Sequence, residues 1–86
     1  PFNPETWIPF QLAKDSIVRI TIYDSTGKQV KLIDLGQLVA GNYVEPSKAI
    51  LWDGKTDNGG LVASGSYFYQ IESEDYREIR KMVIAK

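Results

Sequence analysis

Most enzyme chemistry near neutral pH needs a histidine, a cysteine or two carboxylates held at a set separation, and this sequence has neither His nor Cys. A Ser-His-Asp triad, a Cys-His nucleophile and the usual zinc donor sets are therefore excluded. Glu72, Glu74 and Asp75 are close enough in sequence to suggest the acid and base of glycoside hydrolysis. They fall at a predicted hairpin turn with Lys and Arg nearby, where solvated charge is the commoner arrangement. Gly59 and Gly60 are followed by neither Lys-Ser nor a helical pattern, so they read as turn residues and not as a phosphate cradle.

Asp53, Asp57 and Asn58 in a Gly-rich stretch offer the hard oxygen donors that calcium prefers. The spacing departs from an EF-hand: Lys55 stands at the third position, Asn58 at the sixth where Gly belongs, and Ser64 at the twelfth where Glu belongs. Satisfying turn amides is the preferred role for these side chains. No cofactor and no metal is expected. A last possibility is a sugar-stacking platform. Trp52, Tyr67 and Tyr69 are better explained as core, but Trp7 and Phe68 lie opposite the apolar sets of their strands and would form a binding patch if exposed and adjacent.

The elements that would position these residues are strands. Apolar and polar residues alternate in short runs separated by Gly, Asn, Asp, Ser or Pro, and no helical period of ordinary length competes. Residues 6–12 place Ile8, Phe10 and Leu12 on one face, with Pro9 marking an edge because it cannot donate to a ladder. Residues 17–23 set Val18, Ile20 and Ile22 against Arg19 and Thr21. Asp24-Ser25-Thr26-Gly27 reads as a hairpin turn into a strand over 28–35, with Gly27 supplying a positive φ. Residues 36–41 read as a loop, and 42–45 with 49–53 as one strand interrupted around Pro46. Residues 65–72 alternate Tyr67, Tyr69 and Ile71 against Ser66, Phe68 and Gln70, and the last strand runs from about 76 to 85. The expected fold is all-β, an Ig-like antiparallel β-sandwich of about seven strands. Its core is expected to include Ile8, Phe10, Leu12, Val18, Ile20, Ile22, Trp52, Tyr67, Tyr69, Ile71, Met82 and Ile84.

A chain of 86 residues is the size of one domain, spanning 1–86. Two Trp, five Tyr and three Phe suit a half-buried pleated surface. Ten basic and eleven acidic residues are interspersed and net to -1, which gives no footprint for a nucleic-acid backbone. No apolar stretch approaches the roughly 20 residues of a bilayer-spanning helix, and the absence of cysteine decides nothing about compartment.

Several ordered motifs resemble one family. Phe2-Asn3-Pro4-Glu5-Thr6, Ile20-Thr21-Ile22-Tyr23-Asp24 with Gly27, Trp52-Asp53-Gly54, Val62-Ala63-Ser64-Gly65-Ser66-Tyr67-Phe68-Tyr69 and Arg80-Lys81-Met82-Val83-Ile84 are similar to the C-terminal Ig-like sorting domains of type IX secretion substrates. The Ig-like domain of flagellar hook-capping proteins is closely similar, sharing the Trp-Asp-Gly and Gly-Xaa-Tyr elements. The segment between Gly41 and Trp52, with Glu45-Pro46-Ser47-Lys48, is longer than the family's short link.

What the resemblance implies is a non-catalytic domain, the last of a larger exported protein, that directs its cargo through the outer membrane to the cell surface or beyond. Its partner would be the outer-membrane secretion machinery or another protein. By correspondence, Gly65, Tyr67, Lys81, Met82 and Val83 would carry the recognition signal, against structural roles for each: a turn for Gly65, core for Tyr67 and Met82, a solvated strand position for Lys81. The alternative is a structural or assembly module of the hook-cap kind. Carbohydrate binding ranks third and catalysis last.

Overall fold

The computed structural model describes residues 6–44, 50–74 and 76–85. They form eight antiparallel strand segments: β1 (Thr6–Ile8), β2 (Phe10–Leu12), β3 (Ser16–Asp24), β4 (Gln29–Leu38), β5 (Gly41–Tyr43), β6 (Ile50–Trp52), β7 (Gly65–Ser73) and β8 (Tyr76–Ile84). Only Pro9 separates β1 from β2, so the two are one strand broken where the ladder lacks a donor, and the count is seven. The larger sheet has the order β4-β3-β7-β8, and the smaller layer is made of the pairs β1-β6 and β2-β5.

The break at Pro9 has a counterpart in the partner strand. Ile8 lies opposite Ile50 and Phe10 opposite Tyr43, so the pairing passes from β6 to β5 at Pro9. The expected interrupted strand is thus two pieces paired to consecutive parts of one neighbour. The Glu45-Pro46-Ser47-Lys48 insertion and the Phe2-Asn3-Pro4-Glu5 motif lie outside the described residues, as does Asp75.

Alternation places the expected residues in the core. Ile8, Phe10 and Leu12 come from the small layer, Val18, Ile20 and Ile22 from β3, Tyr67, Tyr69 and Ile71 from β7, and Trp52 and Ile84 complete the buried cluster. Met82 packs against this cluster only partly buried, and Val62, from the loop before β7, is a core member that strand periodicity did not flag. Phe10 stacks on Tyr43 with ring centroids 4.7 Å apart. Trp52 meets Tyr67 edge-on at 5.9 Å and so ties the two layers together.

The main departure concerns residues 36–41, expected as a loop. β4 continues through Gly36 to Leu38 and β5 starts at Gly41. Gly36 sits in a bulge: Val18 faces Gly36 but Arg19 faces Asp34, leaving Leu35 as the extra residue. Its φ of 68° is available to glycine at little cost. Read without a partner strand, that glycine looks like a terminator. The following corner is held by Asp15 Oδ1, which accepts from the Ala40 amide at 2.8 Å, and by the Tyr43 hydroxyl donating to the Val39 carbonyl at 2.6 Å.

The β3-β4 hairpin turn is built as the sequence predicts. Gly27 has a φ of 88°, and the Asp24 carboxylate accepts from the Thr26 hydroxyl at 2.6 Å, the Thr26 amide at 2.9 Å and the Lys28 amide at 3.0 Å. These bonds favour the ionised form, the Thr26 hydroxyl most, and hold the Asp24 carboxyl below its ordinary value.

Candidate interaction surface

Of the carboxylates that suggested hydrolysis, Glu72 and Glu74 border one open recess with Tyr76 and Arg77 at the β7-β8 turn, and Asp75 lies outside the described residues. Glu72 lies on the outer face of the large sheet and is bound by Arg77 at 2.8 Å. Glu78 faces Ile71 across the β7-β8 ladder and therefore belongs to the inner face. It accepts from the Tyr76 hydroxyl and from Arg80 Nε at 2.8 Å. These donors, Tyr76 first and Arg80 second, hold the Glu78 carboxyl below the usual range, which keeps it ionised and unfit as a general acid. The same bond pushes the Tyr76 phenol up. Glu78 therefore cannot serve as a second carboxylate for Glu72, because two carboxylates on opposite faces of a sheet do not flank one scissile bond. An open recess bordered by Gln11, Leu12, Lys14, Ser16, Asn42 and Tyr76 has no carboxylate in its lining.

The Trp-Asp-Gly turn is occupied by its own backbone. The Trp52 indole N–H donates to the Lys55 carbonyl at 3.0 Å, and Asp53 Oδ1 accepts from the Lys55 amide at 3.1 Å. The Val62 amide donates to the Gly54 carbonyl at 2.9 Å, closing the loop and drawing Val62 into the core. Asp57 reaches the edge of β4: its amide donates to the Val30 carbonyl at 3.0 Å, its Oδ1 accepts from the Leu32 amide at 3.1 Å, and Lys31 Nζ lies 4.0 Å away. Asp53 and Asp57 thus serve turn and edge amides, and among the described residues no three acidic, Cys or His side chains cluster in a way that could hold a metal ion. Sequence alone could not have found the Asp57 contact, because its partners are about 25 positions away.

Trp7 and Phe68 do not form one platform. Trp7 is 49 % exposed on the outside of the small layer, next to the buried Ile8. Phe68 is half-buried on the outside of the large sheet, between Tyr23 and Lys81. The two rings point away from the core in opposite directions.

The five residues singled out from sequence are brought together on the β7-β8 hairpin. Tyr67 faces Met82, while Gly65, Ser66 and Phe68 face Ile84, Val83 and Lys81. They divide by face. Tyr67 is buried, donates its hydroxyl to the Ala63 carbonyl at 2.7 Å and contacts Trp52. Met82 packs on the core from the same side. Gly65 opens β7 in an exposed position. Lys81 and Val83 point outward with Arg77 and Ile79, so the outer face of β8 reads Arg77, Ile79, Lys81, Val83 in sequence.

The sequence matches the FlgD Ig-like domain over residues 5–76. The chain belongs to that family. The family match takes in β1 to β7 and stops at the first residue of β8, so Gly65 and Tyr67 lie within it and Lys81, Met82 and Val83 beyond it. Among solved structures, FlgD from P. aeruginosa is similar with a TM-score of 0.71 and 25 % identity. The similarity covers 93 % of this chain and 59 % of that one, so the domain spans somewhat more than half the length of its structural relative. No curated protein matches the chain.

Proposed function

We infer that this domain is a non-catalytic structural module of the flagellar hook-capping type, through which a larger exported protein contributes shape and a docking surface to an assembly. The observation that carries this reading is the family match over residues 5–76, supported by the similarity of the whole sandwich to FlgD. The chemistry agrees with it. Glu72 and Glu78 are engaged by Arg77, Arg80 and Tyr76, and Asp24, Asp53 and Asp57 by turn and edge amides.

A type IX sorting signal at Gly65, Tyr67, Lys81, Met82 and Val83 is the competing assignment. It is not adopted, because both comparisons fall on the hook-capping side of the two similar families. Deleting residues 1–86 from the protein that carries them separates the two readings. Export of the truncated protein with loss of its incorporation into the surface assembly is the expected result. Retention inside the cell would overturn it in favour of sorting.

A further inference from the structure

The large sheet has two edges, and they are treated differently. At β4, Asp57 closes the ladder at Val30 and Leu32 with one backbone and one side-chain hydrogen bond. At β8, no described residue pairs with the side facing away from β7. In an antiparallel strand every second residue directs its N–H and C=O away from its neighbour, so β8 presents a row of backbone donors and acceptors.

Natural edge strands are blunted by proline, bulges, shortness or charged side chains. β8 lacks the first three, being nine residues long, without proline, and paired with β7 in an unbroken register from Ser73–Tyr76 to Gly65–Ile84, and of its four charged residues Arg77, Glu78 and Arg80 are engaged in ion pairs. By contrast, the β3-β4 pair carries two register shifts. Ile79 and Val83 are 61 % and 69 % exposed on the outer face of β8. Between them stands Lys81, opposite Phe68, with no carboxylate paired to it among the described residues. Arg77, the other outer cation, is already paired with Glu72.

We propose that β8 is a strand-addition site for an extended segment of a partner protein whose one face reads apolar, acidic, apolar at alternate positions, matching Ile79, Lys81 and Val83. Backbone pairing supplies affinity and the side-chain pattern supplies choice of partner. A second copy of this chain fits poorly. Antiparallel pairing of two β8 strands about Lys81 sets Lys against Lys, pairing about Ile79 sets Arg77 against Lys81, and pairing about Arg80 sets Lys81 against Ile79. The inference deepens the assembly reading by naming the edge through which the module docks.

The test is a titration of the isotope-labelled 86-residue chain with a capped peptide alternating Thr with Val, Glu and Val, followed by NMR, with amide exchange as a second readout. Perturbation and slowed exchange confined to residues 77–83 are expected. Lys81→Glu, an exposed change that leaves the melting temperature in place, should weaken the peptide by roughly fivefold, and replacing the peptide's Glu with Lys should restore binding to that variant. Absence of binding, shifts that map to β4 or the small layer, indifference to charge reversal, or dimerisation in sedimentation would each overturn the proposal. Because the measurement uses the domain alone, its failure leaves the deletion phenotype, and with it the assembly reading, unaffected.

Discussion

The two tryptophans give the structure an internal control, and replacing each with phenylalanine tests whether Trp52 anchors the sandwich. Trp52 is 1 % exposed, bridges the layers through Tyr67 and bonds the Lys55 carbonyl. Trp52→Phe removes that hydrogen bond, worth about 1 kcal/mol net. It also gives up roughly 50 Å² of buried ring, about 1 kcal/mol at 25 cal/mol/Å², with a further contribution from the space left behind. The sum is about 2–3 kcal/mol, against a total of about 4–13 kcal/mol expected for a domain of this length. At about 4–8 °C per kcal/mol the melting temperature should fall by roughly 10–20 °C. Trp7→Phe, at a half-exposed site, should stay within about 0.5 kcal/mol. Thermal and urea unfolding followed by circular dichroism measure both, with an unchanged urea slope expected for each. Equal losses at the two positions, or a Trp52 variant within about 3 °C of the parent, would refute the assignment of Trp52 as the inter-layer anchor.

Asp57→Ala should cost about 0.5–1 kcal/mol and speed amide exchange at Leu32, since water replaces the lost carboxylate at an exposed edge; exchange unchanged at Leu32 would contradict the edge-capping role. Asp24 has a folded-state pKa below its unfolded one, so its contribution to stability is complete above the ordinary aspartate value near 4 and is lost as pH falls through the lower folded value. Asp24→Asn should therefore lower the melting temperature at neutral pH and flatten its decline below roughly pH 4, which a series of melts from pH 7 to 2 reads directly. Gly27→Ala meets no atom within 4 Å, yet its φ of 88° should still cost about 1 kcal/mol; a neutral result in chemical denaturation would show that the turn can be rebuilt without a left-handed residue.

Much of the architecture was legible in local order. The alternation of Val18, Ile20 and Ile22 and of Tyr67, Tyr69 and Ile71 identifies the inward faces because side chains in an extended chain repeat every two residues. Asp24-Ser25-Thr26-Gly27 identifies its turn because only certain residues accept that backbone. Val62 escaped notice because it belongs to no strand: it is buried by a hydrogen bond from its amide to Gly54, and nothing in its neighbours in sequence encodes that. Gly36 was misread for a related reason, since a bulge exists only relative to the strand opposite.

The same division holds for the surface. The lack of His and Cys excludes most familiar catalysis and the balanced charge gives no nucleic-acid footprint, while the residues of interest on β7 and β8 came only from the family resemblance. Whether Trp7 and Phe68 share a face, and which edge of the large sheet is bonded by Asp57 at Val30 and Leu32, were decided by strand order and register. Those depend on pairing between residues far apart in the chain, where the free energy comes from mutual burial and inter-strand hydrogen bonds that no local window of sequence contains.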